Sequence, residues 1–151
     1  MKIERILFPT DFSEGSDNAL HYAVDLAKQY NAKLYILHVI YDVMKAMDAH
    51  VPHTSADELY KDLDKWAMDE IENCCIEEIR ALPNVVKKVV KGIPHEETIR
   101  MATEEKIDLI VMGTYGRTGL DRLLFGSTAE RVVRKAPCPV LTVRVPEHRE
   151  L

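Results

Sequence analysis

The chain predicts an α/β fold: an open five-stranded parallel sheet in the order 3-2-1-4-5, with helices on both faces, formed as a single domain over residues 1 to 151. Two observations predict it. Short apolar runs alternate with helix-periodic runs from one end of the chain to the other. Several of those runs are apolar at nearly every position, the pattern of strands covered on both faces rather than on one. The length suits one domain, since a chain of about 150 residues buries roughly two-thirds of the surface it exposes when unfolded.

Each element has its own signal. "IERILFP" (3–9) is the first strand, and "DFSEGSDNALHYAVDLAKQY" follows as a helix, with Ala19, Leu20, Ala23, Val24, Leu26 and Ala27 at helical spacing behind Ser16 as its cap. "KLYILHVI" (33–40) is the second strand, followed by a loop over 41–54. A long helix opens with Ser55 and Glu58 in capping-box spacing, stripes one packing face with Leu59, Leu63, Trp66, Ile71, Cys74 and Ile79, and stops before Pro83. "VVKKVVK" (85–91) is the third strand, Pro94 starts a helix that runs through Glu105, and "IDLIVMG" (107–113) is the fourth strand. After a glycine stretch come a helix at 127–135 and the last strand, "PVLTVRV" (139–145).

Composition orders the strands. Lys87, Lys88 and Lys91 in the third strand and Arg144 in the fifth suit sheet edges, which charged residues protect from unwanted pairing. The apolar first, second and fourth strands then fill the middle, and right-handed crossovers allow the order 3-2-1-4-5. The alternative order 2-1-3-4-5 would expose the apolar second strand at an edge.

The totals exclude several classes of function. Hydrophobic residues make up 46% and charged residues 30%, and no apolar run approaches the roughly 20 residues that span a bilayer. The start of the chain has no signal-peptide pattern, so a cytoplasmic location is expected. Cys74, Cys75 and Cys138 have neither metal-ligand nor redox spacing and are read as structural. A net charge of −5 argues against general affinity for nucleic acid. Residues 113 to 135 are a local exception, with five basic against two acidic side chains, and could meet a small anion.

That anion site has a predicted position. In the order 3-2-1-4-5 the winding reverses between strands one and four, and open α/β sheets bind ligands in the crevice at the carboxyl ends of the strands flanking such a reversal. "PTD" (9–11) and the start of "GTYGRTGLDRLLFGST" (113–128) both fall there. Gly113 and Gly116 can adopt positive φ and let backbone amides approach a ligand with no Cβ in the way, and Gly126 allows close approach just before a helix. Ser127 and Thr128 then stand at a helix N-terminus, where unpaired N–H groups favour a phosphate. The bland alternative is that these glycines only make turns and that Asp11 only caps a helix.

The spacing Gly113-x2-Gly116-x9-Gly126-Ser127, with "ILFPTDFSEGSDNAL", "LHVI" and "APCPVLTVR", resembles the universal stress protein family in its ATP-binding branch. The resemblance implies the same five-stranded fold, ATP as ligand with Mg2+ or Mn2+ bridging its phosphates, and a homodimer through the 139–145 edge. It implies that Pro9, Thr10 and Asp11 form one wall of an adenosine pocket, with Asp11 accepting hydrogen bonds from ribose or adenine, and that the main chain of Val39 reads the adenine edge. Met112 and Gly113 would line the opposite wall. Gly116, Gly126, Ser127 and Thr128 would hold phosphates, with Arg117 as a flexible counter-charge.

Other assignments fail on their own chemistry. A phosphoacceptor receiver domain would need an aspartate ending strand three and a lysine ending strand five, and neither is present. A PP-loop hydrolase would need a sequence like "SGGxDS" where "TDFSEGSD" stands. His50 and His53 lack a third zinc ligand, and the 41–54 loop is read instead as a cover for the pocket mouth or a partner surface. His38 is read as a satisfied core histidine, and His95 is given no chemistry. Without a Walker lysine or an evident base, hydrolysis is expected to be slow at most and regulation by occupancy the expected role, with an unknown downstream protein as partner. An interaction module with a vestigial site, or one taking AMP or a cyclic dinucleotide, is the alternative.

Overall fold

A computed structural model describes residues 1–47, 53–74, 76–114 and 126–145. Five strands, β1 (Arg5–Thr10), β2 (Lys33–Tyr41), β3 (Val85–Gly92), β4 (Leu109–Gly113) and β5 (Val140–Val143), form one parallel sheet in the order β3-β2-β1-β4-β5. Six helices are present among the described residues: α1 (Glu14–Tyr30), α2 (Val43–Met47), α3 (His53–Asn73), α4 (Ile76–Ile79), α5 (Pro94–Glu104) and α6 (Ser127–Lys135).

Successive strand residues point to opposite faces, so each central strand supplies two cores. Ile6, Phe8, Leu34, Ile36 and Val111 face α1 and its neighbours, packing on Ala19, Leu20, Ala23, Ile71 and Ile79. Leu7, Tyr35, Leu37, Ile110 and Met112 face the other way, onto Met101 and Ala102 of α5 and Ala129 and Val132 of α6. This double burial is why β1, β2 and β4 are apolar over most of their length. The lysines of edge strand β3 are all engaged: Lys87 pairs with Glu72 at 3.6 Å, Lys88 with Glu105 at 3.4 Å, and Lys91 lies 3.9 Å from the centre of the Tyr60 ring.

Local structure departs from expectation in three places. The cap of α1 is Ser13, not Ser16; Ser16 lies inside the first turn, and its N–H donates to the Ser13 hydroxyl. The 41–54 segment contains helix α2, started by Asp42, whose carboxylate accepts the Lys45 N–H at 3.1 Å and the Tyr60 hydroxyl at 3.3 Å. The Lys45 N–H, more than any other contact, holds the Asp42 carboxyl below its usual range.

The long helix expected from Ser55 begins earlier, at His53, and ends at Asn73, with the short α4 following. Its buried face runs through Ala67 and Ile71, while Leu59 is exposed and Trp66 remains 37% exposed.

Candidate functional site

Strand lengths create the crevice. Pairing between β1 and β4 is confined to Ile6–Leu109 and Leu7–Ile110, so the carboxyl ends of these two strands continue without bridging each other. On the other side β1 pairs with β2 only as far as Thr10–His38, while β2 runs on beside β3 to Tyr41. The main chain of Val39 therefore lies just beyond the last residue of β1, where its β1-facing side has no strand partner among the described residues.

A tight hydrogen-bonded turn closes the end of β1. The Oδ1 of Asp11 accepts the Ser13 N–H at 3.0 Å, the Ser13 hydroxyl, and the Ser16 hydroxyl at 2.7 Å. Ser16, itself buried, accepts the Asp11 N–H at 3.3 Å. The buried Thr10 hydroxyl accepts the Phe12 N–H at 3.0 Å. Between them Phe12 takes φ 61°, a left-handed conformation that costs a side-chain-bearing residue about 1–2 kcal/mol. Its ring stacks on His38 at 4.4 Å. His38 is buried and donates its Nδ1–H to the Thr10 carbonyl at 2.8 Å, as a satisfied core histidine should. One turn into α1, Asp17 has its carboxyl pushed up, first by burial, then by the charges of Asp11 and Glu78, against the opposite pull of His21.

Gly113 joins this turn to β4. No described glycine has positive φ, so Gly113 does not use the left-handed conformation that a glycine allows. Its small size serves a different contact: a Cβ there would lie 2.7 Å from the Gly15 carbonyl oxygen and 3.3 Å from the Ser16 nitrogen. The absence of a side chain lets the start of α1 rest directly on the end of β4.

The next residue, Thr114, is buried and donates its N–H to the Val143 carbonyl at 3.1 Å. Its own carbonyl accepts the Gly126 N–H at 2.6 Å, which brings the start of α6 to the end of β4. The Gly126 amide is thus occupied within the protein rather than held ready for a phosphate. Gly126 has extended backbone, φ −68° and ψ 159°, and provides no side-chain cap for α6. The first-turn amides of Ser127, Thr128 and Ala129 have no partner inside the helix and point out of its N-terminus.

The other expected site residues divide accordingly. Pro9, Thr10, Asp11, Val39, Met112, Gly113, Gly126, Ser127 and Thr128 all lie at or beside the strand ends that frame this crevice. Met112 has its side chain buried in the cluster under α6, which leaves its main chain as what it can offer a ligand. Gly116 and Arg117 lie outside the described residues, as does His50. Sequence reasoning missed Ser13, Gly15, Ser16 and Thr114. Serines two and five positions after Asp11 were the available signal for the first turn; Thr114 had none.

The pattern of the Universal stress protein family matches residues 2–144 of this chain. The chain belongs to the universal stress protein family. Among its relatives, universal stress protein MJ0531 of Methanocaldococcus jannaschii is 36% identical over 146 residues, spanning 95% of this chain and 84% of the relative. The solved structure of MJ0577, from the same organism, superposes with a TM-score of 0.85 at 33% identity, covering 97% of this chain and 99% of the other. A universal stress protein crystallised in complex with cAMP shares the fold at a TM-score of 0.70 and 22% identity, over 97% of this chain and 100% of that one. In this universal stress protein no described helix is long and apolar enough to cross a membrane.

Proposed function

We propose that the protein is a cytoplasmic, ATP-binding universal stress protein that acts as a homodimeric regulator, with occupancy of the site as its signal. The observation that supports this best is the N-terminus of α6, to which Gly126 gives no side-chain cap and which the Thr114–Gly126 hydrogen bond draws to the end of β4, at the point where the sheet reverses its winding. The first-turn amides and the Ser127 and Thr128 hydroxyls would bind phosphates. Adenosine would lie across the end of β1, with Asp11 near the ribose or base and the Val39 main chain at the adenine edge. Gly116 and Arg117 complete the proposed phosphate contacts.

No cluster of three ligating side chains occurs among the described residues. A Mg2+ or Mn2+ ion bridging the phosphates would rely mainly on phosphate and water ligands, as Mg2+ commonly does. With neither a Walker lysine nor an evident base at the strand ends, turnover by the purified protein should stay below about 1 per second.

Homodimerisation through the β5 edge has a physical motive. Leu141 on β5 and Val133 on α6 are both exposed, beside an open strand edge.

Calorimetric titration of the full chain with Mg2+ and ATP tests the nucleotide reading, with Gly126→Val as the comparison. Extended backbone at Gly126 accepts a β-branched residue, so the variant should keep its melting temperature. Its side chain would stand beside the first-turn amides and should abolish detectable binding. Equal affinity in both proteins would reject the assignment. Titrations with AMP and a cyclic dinucleotide show whether the triphosphate is the preferred form.

A further inference from the structure

We propose that Phe12 is a positioning residue of the nucleotide site and that α3, acting through Trp66, holds it in place. This inference rests on the adenine-nucleotide reading above and names the element to which occupancy is linked.

Phe12 stands between Asp11 and Ser13, and its φ of 61° is one that bulky residues avoid. The reversal at this residue is what returns the Ser13 N–H and hydroxyl to the Oδ1 of Asp11. If Phe12 relaxed to an extended or right-handed conformation, Ser13 would move away and the carboxylate would lose two of the contacts that orient it.

Two restraints oppose that relaxation. The Thr10 hydroxyl accepts the Phe12 N–H at 3.0 Å, and the ring stacks on His38 at 4.4 Å with 26° between planes. His38 is fixed in turn by its hydrogen bond to the Thr10 carbonyl at 2.8 Å. Trp66 of α3 then sets its ring against both, 5.6 Å from Phe12 at 90° and 6.0 Å from His38 at 79°. These are favourable edge-to-face arrangements.

Three rings thus link α3, β2 and the turn after β1. α3 is anchored as well through buried Ala67 and Ile71 and through the contacts of Tyr60 and Glu72 with Asp42, Lys91 and Lys87. A nucleotide that engages Asp11 selects the clamped form of the turn, and by reciprocity the docking of Trp66 strengthens nucleotide binding. Trp66 is also the chain's one tryptophan, so protein emission reports on its surroundings, this cluster included.

The test uses the full chain and three variants. Phe12→Gly accepts positive φ without strain but removes the ring; Trp66→Ala removes the clamp from α3; Trp66→Phe keeps an aromatic edge in the same place. The expected result, from titration with Mg2+ and ATP, is a loss of affinity of about tenfold for Phe12→Gly and for Trp66→Ala, with Trp66→Phe within about twofold of the parent. Trp66 emission should change when ATP is added to the parent, and the change should vanish in Phe12→Gly.

A purely structural ring would lower the melting temperature of the variants without moving their affinity, and that outcome overturns the proposal. If Phe12→Gly fails to fold, the Trp66 pair decides the same question at a more exposed side chain. A parent protein that binds no adenine nucleotide overturns the nucleotide reading itself and this inference with it. A parent that binds while Trp66→Ala and Phe12→Gly bind equally well overturns only the inference.

Discussion

Gly113 shows how a residue's position can be legible while its reason is not. A glycine at the end of an apolar strand at the winding reversal draws attention to the strand ends; the sequence allows positive φ there, whereas the structure uses its missing side chain to make room for the Gly15 carbonyl. That contact joins segments far apart in the chain, and no local pattern encodes it. The atoms a Cβ would meet are backbone and cannot swing aside, so Gly113→Ala should destabilise the protein by about 2 kcal/mol. For a chain of this size the melting temperature should drop by about 2–4 °C per kcal/mol, measured by thermal unfolding. No change would mean that α1 can retreat from β4 without cost. Gly126 teaches the same lesson: its place before α6 was readable, but its amide is used by Thr114, a pairing that depends on where the chain returns after residue 125.

At the scale of elements, strands were easier to read than helix ends. Double burial marks β1, β2 and β4 residue by residue, and lysines mark the β3 edge. The stripe expected for the long helix holds at Ile71 and Ile79, which are buried, but Leu59 is exposed and Ala67, outside the stripe, is buried in its place, a choice that only packing makes. The contact between α5 and α6 makes an elemental prediction. His95 follows Pro94 at the start of α5 and is buried beside α6. Burial first, then Arg131 and Lys135, hold its imidazole below the ordinary 6.5, against the opposite pull of Glu96. The unfolded chain therefore takes up a proton at a pH where the folded chain resists it, so stability should fall as pH drops below about 6.5 and level off once the folded form also protonates. Urea unfolding between about pH 5 and 8 should show this decline, and His95→Gln should flatten it. An unchanged profile in the variant would assign the decline to other groups.

For the whole molecule, the order β3-β2-β1-β4-β5 was derivable because β3 carries three lysines and Arg144 directly follows β5, while β1, β2 and β4 are mostly apolar, with charge only at the first residues of β1 and β2. The crevice follows from that order. The hydrogen-bonded turn lining it, built by Thr10, Asp11, Ser13 and Ser16, does not, since short polar residues in a loop have too many local partners for sequence alone to choose among them. Assembly belongs to this scale as well. If the exposed β5 edge joins two copies, Leu141→Lys should place like charges across the two-fold contact and yield a monomer by light scattering. A variant that stays dimeric would move the interface elsewhere.

The functional reading depends on what the N-terminus of α6 holds. A crystal structure of the full chain grown with ATP and Mg2+ measures that directly. The account predicts phosphate oxygens within hydrogen-bond distance of the Ser127, Thr128 or Ala129 amides, with adenine beside the Val39 main chain. Nucleotide bound elsewhere, with the end of α6 facing only solvent, would contradict it.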